Sequence, residues 1–411
     1  MKGKTVFPKT TLKKVDVLAA DGAFNVGCYT LNGKLIPAIN TMKKISEYDG
    51  KVRAAWYSAE KKKHVVKIGD SVYYSDGSVQ NAPNGPLTAE FPSMIETVVN
   101  GESAAVVIGD GSYYFIGSTA GAKPYKSASH GCVIKNGRIF AIDNANPYKI
   151  VWSGEGGIDD WEGGISGAGW AVLHNGYGRI LNLVVYADKI IAVREKGLTV
   201  ITAYGNPENF KVSHIEQKLP EIYKNTSAVV GNKLVFYTKN GLYSFNGAGA
   251  EKLFLPLAEE MRTAVTAAVM NETYYLIGES KTLQERTVLA FDSRLNVAYI
   301  IFHELDALSV GERLLGYLDT REYELEAGGT YAYTSGEIDF SSSGAKVLKE
   351  VVLRGAKDAR LEVSNGVNSR IVEGVRGKFR PNMRGESFKI TVYGKEKIDG
   401  ISAVAEVLSG V

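Results

Sequence analysis

The sequence predicts an all-β chain: a β-propeller of six to eight blades, seven favoured, followed by a small antiparallel β-domain. Three observations predict it. Glycine supplies 45 of 411 residues, and there are 23 tyrosines but only six methionines, a balance that favours turns and half-buried strands over helices. One pattern also recurs along the chain: three or four apolar or β-branched residues, a Gly/Asn/Asp turn, then another apolar or aromatic run, which is the sequence form of a tight β-hairpin. Finally, the turns at Asn32, Gly69, Asp110, Asn136, Asp188, Asn232, Asn271 and Gly328 are spaced by 37, 41, 26, 52, 44, 39 and 57 residues. Their mean of about 42 is the length of a four-stranded propeller blade. Stacked sheets or a β-sandwich with similar hairpins is the competing architecture, favoured by the irregularity of the spacing.

In chain order, residues 1–24 are expected to be a basic arm, since the first 20 hold five lysines and one aspartate. The arm lacks an apolar core segment and no run approaches 18 apolar residues, so neither a signal peptide nor a membrane span is expected, and synthesis and folding in the cytoplasm follow. Residues 25–340 are expected to form the propeller. Its best hairpins are VVKIGDSVYYS (65–75), VVIGDGSYYFIG (106–117), CVIKNGRIFAID (132–143), LVVYADKIIAV (183–193), VVGNKLVFYT (229–238) and AVMNETYYLIG (268–278). GCYTLNGKLIPAI (27–39) and YELEAGGTYAY (323–333) are weaker copies. PLAEEMRTAVTAAV (256–269) has apolar residues at helical spacing and reads as a connection between blades. Residues 341–411 are expected to form the separate antiparallel domain, because after SSSG come five alternating runs divided by glycines.

Charge follows the same division. Residues 21–345 hold 30 basic and 36 acidic residues, whereas residues 346–397 hold 13 basic and six acidic ones. Arg370, Arg376, Lys378, Arg380 and Arg384 are therefore a candidate basic docking surface. The total of +3 conceals an acidic body between two basic ends.

Several chemistries lack their residues. Cys28 and Cys132 stand far apart on apparent strands, which argues against a thiolate zinc site and a disulfide-stapled scaffold. The five histidines show no paired spacing, no phosphate loop ends in Gly-Lys-Ser/Thr, and no G-x-S-x-G elbow exists; Ser129-His130-Gly131 reads as a polar turn. No catalytic residue, metal or cofactor is expected. The richest stretch is WSGEGGIDDWEGGISGAGW (152–170), where Trp152, Asp159, Asp160, Trp161 and Trp170 form a candidate interaction loop. Aromatic faces stack on sugars and carboxylates bind hydroxyls or serve as acid and base, so a glycan-binding or glycan-cleaving site is the functional alternative there.

The stretch from Tyr148 to Ile201 resembles the β-propeller proteins at the neck and tail tip of tailed bacteriophages, including nozzle proteins and DNA-stabilising plugs. The matching residues are Trp152, Ser153, Asp160, Trp161, Gly178, Ile180, Leu183, Asp188, Ile190, Ile191, Val193, Lys196, Thr199 and Val200. SGEIDFSSSGAKVLKEVVL (335–353) is similar to the junction before the C-terminal β-domain of such proteins, and MRGESFKITVYG (383–394) to one of their late strands. The resemblance implies a non-enzymatic virion component, an oligomeric ring of six copies in the neck or tail that docks neighbouring virion proteins while the genome passes without sequence-specific binding. An acidic body agrees with a conduit, since a DNA reader would present a basic stripe. The chain has little room for inserted platforms, so fibre attachment is not expected. A tail adhesin that binds glycans is the first alternative. A cellular interaction propeller of kelch or WD type ranks last, for want of G-H…W-D or double-glycine signatures at fixed offsets.

Overall fold

The computed structural model of the chain describes residues 10–19, 22–75, 80–81, 92–99, 102–109, 112–116, 120–124, 131–156, 160–161 and 167–408. These residues are all-β, with two short 3-10 turns, Val17–Ala19 and Pro207–Asn209, and no α-helix among them.

Among the described residues, seven four-stranded antiparallel units follow one another in a propeller-like arrangement. The first six start with Val52–Ser58, Ser93–Val99, Val133–Lys135, Ile180–Tyr186, Ala228–Val230 and Met261–Met270, and each runs as a simple meander. The seventh contains Ala307–Val310, Leu314–Leu318 and Arg321–Ala327, and takes its fourth strand, Ile39–Glu47, from near the N-terminus. The hairpins follow from turn chemistry. Between Val133–Lys135 and Arg138–Ile142, Asn136 and Gly137 both have positive φ (49° and 69°), the geometry of a two-residue turn that matches strand twist.

Apolar clusters join each sheet to the next. Phe140 and Ile142 meet Ile180 and Ile190 across the third and fourth sheets. On the reverse face of the third, Ile139 and Ala141 meet Ile95 and Val106 of the second. Strand Arg138–Ile142 is buried throughout because both of its faces are covered, and this explains why such second strands read as continuous apolar runs rather than alternating ones. The last such cluster packs Leu315 and Tyr317 of the seventh sheet on Val52 and Val66 of the first.

Both ends of the chain build the second body. Thr10–Asp16 pairs antiparallel with Gly400–Leu408 along its full length, from Thr10↔Leu408 to Asp16↔Ser402. The expected arm is thus a sheet strand over residues 10–16. Its alternating Leu12, Lys14 and Asp16 against Val15 suit a strand covered on one face. Residues 1–9 lie outside the described residues. Gly400–Leu408 also pairs with Lys346–Arg354, to which Lys378–Phe379 and Met383–Gly385 add. The facing sheet holds Phe24–Val26, Tyr331–Thr334, Lys389–Gly394, Ala359–Ser364 and Ser369–Val375. Between the two sheets lie Leu348, Val351, Leu361, Phe388, Ile390 and Val392. The expected boundaries at 24/25 and 340/341 are displaced accordingly, since Phe24–Val26 and Tyr331–Thr334 already belong to this body.

One sheet spans both bodies. Phe24–Val26 lies between Val297–Ile301, the last strand of the sixth unit, and Tyr331–Thr334, so nine strands are continuous from Met261–Met270 to Ser369–Val375.

Two other expectations are corrected. Residues 256–269 form a turn and then the bulged strand Met261–Met270, where β-branched Thr263, Val265, Thr266 and Val269 suit a pleat better than a helix. Residues 323–333 are no hairpin: Arg321–Ala327 pairs with Ile39–Glu47, Gly328 and Gly329 turn the chain, and Tyr331–Thr334 enters the second body. The hairpin Cys28–Leu31 with Lys34–Pro37 forms, but as a two-stranded sheet of its own. Asp110, proposed as a turn, lies outside the described residues.

Candidate functional site

The first strands of all seven units, or the residues leading into them, line one cavity of about 490 Å³. Ala55, Ile95, Val133, Leu183, Ala267 and Leu308 supply apolar surface there, and Arg53 and Asp306 the charged groups. Asp306 is engaged: its carboxylate takes Lys51 Nζ at 2.9 Å, Arg286 Nη1 at 2.9 Å and the amide of Asp319 at 2.9 Å. Burial alone would raise its pKa, but the amide and the two cations outweigh burial and hold the carboxyl below its ordinary range. A depressed carboxyl stabilises the fold fully above the unfolded value of about 3.9 and loses that contribution as pH falls through the folded value. Urea melts across acidic pH are therefore expected to show a drop in stability that Asp306→Asn flattens; an unchanged acid limb in that variant would remove the assignment.

Among the described residues of 152–170, the three tryptophans do not form one platform. Trp152 is 9% exposed in the third strand of the third unit, packed against both Phe140 and Phe210 with ring centroids 6.0 and 5.3 Å away. Its indole Nε1 donates to Gly167 O at 3.1 Å. It is a core residue. Trp161 is half-buried against the cluster joining the second and third units. The carbonyl of Asp160 accepts the Gly154 amide at 2.8 Å, which ties the loop to its own start. Asp159 lies outside the described residues, as do Ser129 and His130. Trp170 is 62% exposed on the unit's edge strand, with the Lys149 ammonium 5.1 Å from its ring centre. Trp152→Ala is expected to cost about 3–5 kcal/mol of stability in urea unfolding, while Trp170→Ala changes stability little. Equal effects would contradict the burial difference.

The five basic residues of the expected docking surface separate into two places. Arg370, on edge strand Ser369–Val375, bonds the Pro381 carbonyl at the rim between the two sheets, and exposed Arg376 follows that strand. Lys378 and Arg380 both reach Glu350, at 3.3 and 3.8 Å, on the outer face of the other sheet, and Arg384 stands opposite Val347 on that face. Lys14, Lys349 and Arg354 join this second group. The sequence alone leaves Lys14 out of this group because residues 1–24 read as an arm there, although the alternation in TTLKKVD carries the signal.

No family model matches the chain, and no curated protein matches it. Among solved structures it is similar to the WD40 domain of Pan2 from Neurospora crassa, at 9% identity over 72% of this chain and 95% of that one, with a TM-score of 0.44. It is also similar to the extracellular domain of a hybrid two-component system from B. thetaiotaomicron, at 8% identity over 81% of this chain and 47% of that one, with a TM-score of 0.43.

Two further polar contacts hold the seventh unit in place. Glu322, 4% exposed in the seventh unit, accepts hydrogen bonds from Tyr48 Oη at 3.0 Å, from Tyr317 Oη at 3.1 Å and from the Ser46 hydroxyl. Burial, then the nearby carboxylate, pushes both tyrosine hydroxyls well above their usual pKa. His64 Nδ1 and Ser309 Oγ, 2.7 Å apart, join the first unit to the seventh. No described helix is long and apolar enough to cross a membrane.

Proposed function

We propose that this chain is a non-enzymatic structural component of a tailed-phage virion, at the neck or tail, assembled as a ring of copies around the path of the genome. In this reading its larger body is a closed seven-bladed propeller, with Ile39–Glu47 completing the seventh blade. The observation that carries the reading is the nine-stranded sheet running from the sixth unit into the second body. A shared hydrogen-bonded sheet holds two bodies in one orientation, which suits a part that must position neighbours and withstand load. The phage-like stretch at 148–201 supplies the class, and the acidic balance of residues 21–345 suits a wall past which DNA slides. Electron microscopy of the purified protein and of virions that encode it tests the proposal: rings and a virion location are expected, and a strict monomer absent from virions sinks it.

The exposed ring of Trp170 favours a second reading, a tail adhesin that stacks this ring on a sugar. A glycan array answers it, since binding must appear with the wild type and vanish with Trp170→Ala.

A further inference from the structure

We infer that the outer face of the sheet containing Thr10–Asp16, Gly400–Leu408 and Lys346–Arg354 docks onto an acidic surface of a second copy of this chain, joining copies head to tail. The inference rests on the ring proposed above and names the surface that builds it. Residues directly opposite in an antiparallel pair share a face. One row across the sheet is therefore Leu12, Glu406, Val347 and Arg384; another is Asp16, Ser402, Val352 and Lys378. Alternate residues of the same strands, among them Val15, Ala403, Leu348 and Val351, turn into the core, so these rows face outward. Leu12 is 69% exposed, and Val347, Val352 and Val404 are half-buried.

The charges around these aliphatic residues do not balance. Lys14, Lys349, Arg354, Lys378, Arg380 and Arg384 oppose Asp16, Glu350 and Glu406, which leaves +3 (six minus three). Glu406 is taken by Lys349 at 2.7 Å, and Glu350 by Lys378 and Arg380. Lys14, Arg354 and Arg384 carry no ion pair among the described residues.

Three arguments choose the occupant. Aliphatic residues ringed by charge have the anatomy of a protein interface. The rows offer no aromatic ring on which a nucleic-acid base could stack. Pairing this face with itself would set +3 against +3, so a two-fold dimer is disfavoured and the contact must be heterologous, which generates rings or filaments. The complementary charge lies within the chain itself, in residues 21–345 with their 36 acidic and 30 basic residues.

Sedimentation velocity and mass photometry of the full chain test the inference, comparing the wild type with Leu12→Asp/Lys14→Glu/Arg384→Glu and with a control, Val367→Asp/Ile371→Asp, at the exposed edge of the other sheet. All five substitutions fall on exposed side chains, and circular dichroism with thermal melting verifies that both variants fold. The expected result is assembly of the wild type and the control, weakened by salt, with the triple variant's dissociation constant raised about tenfold or more. A folded triple variant that assembles like the wild type, or a control that alone blocks assembly, overturns the inference and leaves the ring standing. A wild type monomeric at every concentration removes the ring and this contact together. A duplex DNA bound by the monomeric wild type and lost in the triple variant would reassign the face to nucleic acid and overturn it too.

Discussion

Replacing Glu322 by alanine is expected to lower the free energy of unfolding by about 3 kcal/mol, because three hydroxyl donors lose a buried charged acceptor at once. Two of those donors, Ser46 and Tyr48, belong to or follow the strand Ile39–Glu47, and the third, Tyr317, lies in the seventh unit's own second strand. The carboxylate thus clamps a strand that comes from a distant part of the chain to complete its sheet. Glu322→Gln keeps the shape and an acceptor oxygen, so a smaller loss is expected. Urea unfolding gives the magnitude, and hydrogen exchange gives the location: amides of 39–47 should lose protection before those of the third and fourth units. A loss below about 1 kcal/mol, within the range of an ordinary single hydrogen bond, would show that the clamp is incidental.

Arg194→Ala is expected to be of similar severity. The side chain is fully buried, and its guanidinium is held by one loop: Nη2 donates to Leu173 O at 3.0 Å, Nε to Gly178 O at 3.0 Å, and Nη1 to Asn175 Oδ1. This loop leads from the third unit into the fourth. Burial lowers the Arg194 pKa and the nearby Tyr148, Glu195 and Tyr177 offset part of that shift, but a guanidinium remains charged throughout the working range. Removing it strands two carbonyls and opens a cavity, at a cost of about 3 kcal/mol or more. Arg194→Lys retains the charge but not the planar fork, so partial rescue is expected. Thermal melting of the two variants and the wild type should give three separate midpoints in that order. If lysine matches arginine, charge alone suffices and the fork geometry is irrelevant.

The hairpins were legible because their signal is local. Asn136 and Gly137 state a turn in two residues, and the apolar runs beside them state strands. Trp152 is illegible for the opposite reason: its inner strand is covered on both faces, and sequence periodicity cannot tell a covered strand from a platform when Gly and Asp crowd the next loop. Glu322 had no local signal at all. In REYELEA it alternates with Glu324 and Glu326 as a solvent-facing carboxylate would, and it is buried only because Ser46 and Tyr48 arrive from the far end of the chain. The basic surface was half legible, since Lys378, Arg380 and Arg384 are close in sequence while Lys14 joins them only through the pairing of the first strand with the last.

That pairing has a consequence for the chain as it leaves the ribosome. Thr10–Asp16 emerges long before its partner Gly400–Leu408; Ile39–Glu47 likewise waits for Arg321–Ala327. The middle units can zip up as local meanders during synthesis, while Thr10–Asp16 stays an unmatched edge until Gly400–Leu408 has been made. Contacts of such long sequence separation form slowly and leave strands open to wrong partners. In a cell making many copies at once, Thr10–Asp16 of one nascent chain meets the Gly400–Leu408 strands of finished copies, so the timing of synthesis, as much as the final packing, decides whether the two strands close within their own chain.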